Sequence, residues 1–182
     1  MPVASPEAPK IACDAMCGGL ARWLRVLGID TSYTPGIEDG ELVAHALAEG
    51  RVVLSSDGKL FERRAFTTAQ LRGLRLPVGL KLQEQVRFVV RELKLVPGFP
   101  RCTLCNGELD AVTRAEVADV VPARSLIWAT EFYRCRACRH VFWEGTHWRR
   151  IQAVRERFLS AEQHLTPPAD GDENPLEPNI RG

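Results

Sequence analysis

The sequence predicts an α/β fold, a parallel sheet with helical crossovers, followed by a small metal-stapled domain. Three observations predict it. Short β-branched runs alternate with amphipathic stretches between residues 10 and 94. Two Cys-x-x-Cys pairs follow a breaker-rich junction at residues 96–100. Hydrophobic residues make up 45% of the 182, enough to build a core.

The elements follow in order. Residues 10–14 (KIACD) read as a short buried strand. Residues 16–28 read as a helix: Leu20, Trp23, Leu24 and Leu27 fall at i, i+3, i+4 and i+7, and Gly28 ends it. Arg22 and Arg25 lie off that apolar stripe. Residues 29–34 form a second strand. Asp39 caps a helix over 40–49, closed by Gly50. Residues 51–55 (RVVLS) are continuous, as a strand covered on both faces should be. Asp57 opens a third helical stretch to about Phe66. A short strand near 74–76 and an amphipathic helix over 80–94 complete the domain; Leu82, Val86, Val89 and Leu93 form its apolar side. The expected organisation is a disordered N-terminus (1–9), the α/β domain (10–96), a metal-bound segment with a C-terminal helix (97–158) and a disordered acidic tail (159–182).

The formal net charge is +1, yet charge is unevenly distributed. Residues 63–101 hold nine Lys/Arg against two Glu, and residues 167–182 hold four acids against one Arg. No run approaches the length of a membrane span, and residues 1–9 lack the pattern of a secretory signal. A cytoplasmic, reducing setting is the expectation, in which paired Cys-x-x-Cys motifs bind metal rather than form disulfides.

Cys102-x-x-Cys105 and Cys135-x-x-Cys138 are separated by 29 residues. A two-residue gap lets both thiolates of a knuckle reach one ion, and two knuckles close a tetrahedral shell with no open position. The expectation is one structural zinc in a zinc ribbon, with His140 and His147 outside the ligand set. Cys13 and Cys17, spaced C-x-x-x-C, read as buried thiols packing as small apolar groups.

Asp14 follows the first strand and Asp57 the third, and Asp39 starts the second helix. Strand C-termini of a parallel sheet converge on one edge, where ligands bind. Carboxylates gathered there suit magnesium or manganese and metal-assisted phosphodiester hydrolysis. Each of the three is equally a good helix cap. Arg63, Arg64, Arg72, Arg75 and the Arg87/Arg91/Lys94 stripe suit a phosphate-backbone track, or a solvated helix face. Arg134, Arg136, Arg139, Arg149 and Arg150 add a second basic element. Trp143 and Trp148 suit base stacking or the small core of the metal-bound segment.

At these residues the chain resembles a known family. Cys13-Asp14-Ala15-Met16, the run Gly19-Leu20-Ala21-Arg22-Trp23-Leu24-Arg25 and Leu27-Gly28 resemble the opening of the RNase domain named for the C-terminal part of the Mut-seven exonuclease. Residues 49–57 (EGRVVLSSD), 101–109 (RCTLCNGEL), Cys135-Arg136-Ala137-Cys138 and 143–148 (WEGTHW) resemble later motifs of the same family, in the same order. The resemblance covers about residues 10–155. It implies a PIN-like nuclease fold fused to a zinc ribbon, with Asp14, Asp39 and Asp57 at the family's acidic positions. The chain departs from the pattern twice. Lys59 stands where related sequences often carry a fourth acid, with Glu62 as the nearby substitute. Cys17-Gly18-Gly19 stands where the family usually has Leu-Gly-Arg. The resulting expectation is a magnesium- or manganese-dependent ribonuclease. Asp14, Asp39 and Asp57 hold the metal, Arg22, Arg25, Arg63, Arg64, Arg87 and Arg91 bind RNA, and the zinc ribbon assists. The alternative is a non-catalytic RNA-binding or ribosome-associated adapter with a vestigial acidic site.

Overall fold

A computed structural model of the chain describes residues 8–143. The C-terminal helix, the acidic tail, Trp148, Arg149, Arg150 and all but the last two residues of the loose N-terminus lie outside the described residues. The described chain forms two compact units. One runs to Asp110 and includes Arg134–His140, and the other comprises Ala111–Tyr133 with the segment from Val141.

The larger unit carries the α/β fold that the sequence predicts. Strands β1 (Ile11–Cys13), β2 (Thr31–Tyr33), β3 (Val52–Ser55) and β4 (Gly73–Arg75) form one sheet of order β2-β1-β3-β4. Every pairing is parallel. Helices α1 (Gly18–Val26), α2 (Asp39–Glu49), α3 (Arg64–Thr67) and α4 (Leu82–Glu92) connect and cover it. Residues alternate between the faces of a strand. Ala12 and Val53 pack with Leu42 and Ala46 of α2 and with Leu60 and Leu71. Ile11, Cys13, Val52 and Leu54, all buried, therefore point to the opposite face. Helix α1, with Leu20 and Leu24 fully buried, lies against α4, whose Val86 and Val89 are also buried. Two covered faces explain the unbroken apolar run of β3.

Three local details differ from the sequence reading. The third helical stretch is split: a 3-10 turn at Lys59–Glu62 and α3 are separated by Arg63, whose ψ of 145° is extended. Asp39 lies in the first turn of α2 behind Glu38 and makes no cap hydrogen bond; its negative charge still suits the positive end of the helix. The spacer between the cysteine pairs carries regular elements that the sequence analysis does not assign. It contains β5 (Leu109–Val112), a 3-10 turn (Ala115–Val117) and α5 (Ala123–Trp128), followed by β6 (Phe132–Cys135) and β7 (Val141–Trp143). These strands form a sheet of order β5-β6-β7. The second unit has its own core of Val117, Val121, Ala129 and Phe132, with Trp143 packed against it. Trp143 thus serves the core, as one of its two readings had it.

Candidate active site and metal centre

The sheet order reverses between β1 and β3, because β2 lies on one side of β1 and β3 on the other. Such a switch point opens a crevice beyond the strand C-termini. Asp14 leaves β1 at that point and is 7% exposed. Its Oδ1 accepts the Ala15 N–H at 2.5 Å, and its Oδ2 accepts the Ser55 hydroxyl at 2.5 Å. Ser55 ends β3 and is fully buried. Its Oγ also accepts the Asp57 N–H at 2.9 Å. One hydroxyl thus ties the Asp14 carboxylate to the Asp57 backbone across the switch point. Asp57 is exposed, and its Oδ1 accepts the Lys59 N–H at 2.9 Å. The capping reading of Asp14 and Asp57 is therefore visible, but a carboxylate offers about four lone-pair positions, so these bonds leave acceptor capacity.

Asp39 stands apart from this pair. Its Oδ2 meets Arg63 Nη2 at 3.0 Å, a solvent-exposed ion pair. Among the described residues, Asp14, Asp39 and Asp57 are not drawn into one ligand cluster; the cluster that does form is the cysteine quartet. Cys13 and Cys17 are buried. Burial pushes both thiols up, Cys17 to about 11 with help from the Asp14 charge, so both stay protonated.

The cysteine quartet is compact. The ligand atoms of Cys102, Cys105, Cys135 and Cys138 all lie within 4.8 Å of one another, with Sγ–Sγ separations of 3.6 Å (Cys102–Cys138) and 3.4 Å (Cys105–Cys135). A zinc ion with four sulfurs at about 2.3 Å needs sulfur–sulfur edges of about 3.8 Å. The donor set therefore fits such an ion. Gly107 permits the approach, since a Cβ there would lie 2.7 Å from Cys135 Sγ. Burial raises the Cys105 thiol, but the Gly107 N–H and the thiols of Cys138, Cys135 and Cys102 outweigh it and bring it to about 7. This thiol is thus the most readily ionised of the quartet, which suits cation capture.

The first knuckle is fastened to the α/β sheet. Arg25, expected to bind nucleic acid from outside the apolar stripe of α1, is 3% exposed. This corrects the sequence reading. Its Nε donates to Thr31 O at 2.8 Å, and its Nη1 donates to Thr103 O at 2.9 Å and Leu104 O at 3.2 Å, inside the knuckle. A buried guanidinium is tolerated because these carbonyls replace water. Burial pulls it down from its ordinary value. Asn106 completes the tie: its Oδ1 accepts the Thr31 N–H of β2 at 3.0 Å, and its Nδ2 donates to Asp30 at 2.8 Å. Asp30 also meets Arg51 at 2.6 Å and Arg101 at 3.7 Å. Burial alone raises this carboxyl, but the bonds from Arg51 and Asn106 and the charges of Arg51 and Arg101 hold it below the usual range.

The remaining basic residues lie outside. Arg22, Arg64, Arg87 and Arg91 are exposed, and Arg91 pairs with Glu92 at 3.0 Å. Arg136 joins Glu108 and Asp110. Sequence reasoning missed Ser55, Asn106, Asp30 and Arg51. For Ser55 the signal was present, as a hydroxyl closing an otherwise apolar strand and followed at once by Ser-Asp.

A parallel α/β domain with carboxylates at its switch point, carrying a four-thiolate knuckle, defines the class. The chain belongs to the Mut7-C RNAse domain family, whose model matches residues 9–155. It is 34% identical over 112 residues to the human protein named "Exonuclease mut-7 homolog". That match covers 57% of this chain and 13% of the human protein, so the chain corresponds to a small part of that relative.

Proposed function

We propose that this chain is a metal-dependent ribonuclease that hydrolyses RNA phosphodiester bonds, with a zinc-loaded ribbon that assists RNA binding. The observation that carries the reading is the Ser55 hydroxyl shared between Asp14 and the Asp57 backbone at the switch point of a Mut7-C RNAse domain. Asp14, Asp57 and Asp39 are the hard oxygen donors that magnesium or manganese prefers. When bound, such an ion supplies Lewis-acid polarisation of a phosphate oxygen and orients water. Ser55 holds Asp14 in place by donating to Oδ2. Asp39 joins the set by exchanging its exposed Arg63 partner, a change that costs about 0–1 kcal/mol. Arg22, Arg63, Arg64, Arg87 and Arg91 then serve the RNA backbone. Two Cys-x-x-Cys pairs whose sulfurs gather as one ligand set suit a reducing, cytoplasmic setting.

The adapter reading draws on one specific observation: Lys59 is exposed beside Asp57, and the three carboxylates are not gathered in a single cluster. The two readings separate in one assay. Labelled single-stranded RNA is incubated with manganese and the wild-type chain, Asp14→Asn or Asp57→Asn. The ribonuclease reading expects cleavage by wild type and losses of at least a hundredfold in both variants. Equal cleavage by all three removes the carboxylates from the mechanism, and binding without cleavage by wild type favours the adapter.

A further inference from the structure

We propose that Arg75 is a phosphate-binding residue of the carboxylate edge, held flat over Gly58 to receive an RNA phosphate beside Asp57. The inference rests on the ribonuclease reading and adds a residue to its site. Arg75 is the last residue of β4 and pairs in register with Ser55. Paired residues of a parallel sheet project from the same face, so Arg75 emerges where Ser55 does. Its guanidinium lies against Gly58: a Cβ there would meet Arg75 Nη2 at 2.9 Å, Cζ at 3.0 Å and Nη1 at 3.3 Å. Three guanidinium atoms at nearly equal distance describe a plane laid over the Asp57–Lys59 turn.

Gly58 has no conformational reason to be glycine. Its φ of −62° and ψ of −34° are ordinary helical values that alanine adopts easily. What the missing Cβ provides is room for the guanidinium. Arg75 is exposed and makes no ion pair or hydrogen bond among the described residues, whereas Arg51, Arg63, Arg91 and Arg136 each hold a carboxylate. A guanidinium presents five N–H donors in a fork that matches phosphate oxygens. An exposed guanidinium with no carboxylate partner among the described residues, lying next to the proposed carboxylate site, is suited to a phosphodiester.

The test uses the full zinc-loaded chain and five variants, Arg75→Ala, Arg75→Lys, Gly58→Ala, the Gly58→Ala/Arg75→Ala double and Asp14→Asn, each checked for an unchanged melting temperature. Affinity for a fluorescein-labelled single-stranded RNA is measured by anisotropy across a salt series without added divalent metal. Cleavage is measured with manganese. Arg75→Ala should weaken binding about tenfold and flatten the log–log salt slope by about 0.7, the loss of one phosphate contact on a single strand. Gly58→Ala should act in the same direction, since its methyl moves the guanidinium without changing charge, and adding it to Arg75→Ala should have no further effect. Arg75→Lys should keep the slope but lower kcat, because a point charge lacks the fork. Wild-type affinity, slope and cleavage in Arg75→Ala, with cleavage lost in Asp14→Asn, would overturn the assignment of Arg75 and leave the ribonuclease reading intact. Full cleavage by Asp14→Asn sinks that reading instead, and the salt slope alone then decides whether Arg75 binds phosphate. No RNA binding by wild type overturns both.

Discussion

At Arg25 a guanidinium leaves water and receives three carbonyl oxygens, of Thr31, Thr103 and Leu104. Replacing it with methionine keeps the stem but strands buried acceptors, each a costly loss. Arg25→Met is therefore expected to lose about 3 kcal/mol in urea unfolding and to release zinc faster to a chromogenic chelator. Unchanged stability and unchanged release would show that the knuckle does not depend on this residue. Asp30 gives a pH dependence. Its folded pKa lies below the unfolded value of about 3.9. The stability it contributes is thus present above pH of about 4 and lost as pH falls through the lower folded value. Urea midpoints of wild type and Asp30→Asn should differ most near neutrality and converge on acidification. A constant difference down to pH of about 2 would contradict this. Arg25 also shows why residue roles were harder to read than the fold. Ala21 lies four residues before it on the same helix face and is fully buried, so the apolar stripe was wider than the leucines suggested. What covered that face was a turn far away in sequence, which periodicity does not encode.

At the scale of elements, the strands and helices of the larger unit were legible because their signals are local. The run RVVLS appears as β3, and the Leu82, Val86, Val89 spacing appears as α4. The split of the third helix was not legible, since Arg63 is extended while ion-paired to a residue on another helix. Within the spacer between the cysteine pairs, α5 is only six residues long, too short for periodicity to mark it. The knuckle and β2 form a mechanical pair: Asn106 accepts the N–H of Thr31, the first residue of an edge strand. Removing the metal should loosen that edge. With Cys135→Ser or after chelation, amide exchange of Thr31 should accelerate at least tenfold, while Val53 in the centre of the sheet changes little. Equal protection with and without metal would separate the knuckle from the sheet's edge.

For the molecule as a whole, the four cysteines announced their own grouping through spacing, and the structure brings them within reach of one ion. The acidic site was legible only through topology. Asp14 and Asp57 meet through Ser55 at the switch point, whereas Asp39 is held aside by Arg63. Carboxylates that repel one another gather most readily around a cation, and in the proposed function magnesium or manganese would draw them together. In the proposed function the exposed arginines on α4 and α3 supply a salt-sensitive grip on RNA. Reversing Arg87 and Arg91 to glutamate should weaken RNA binding by more than tenfold and flatten its salt dependence, without altering the melting temperature. In the proposed function two kinds of metal occupy this chain, one held by sulfur and one by oxygen. Crystals of the zinc-loaded protein soaked in manganese, with anomalous scattering recorded at both metal edges, test it most directly. The account predicts zinc signal among Cys102, Cys105, Cys135 and Cys138, and a separate manganese signal bonded to Asp14 and Asp57. Manganese absent from Asp14 and Asp57 in a well-occupied soak, or bound only at the cysteines, would contradict it.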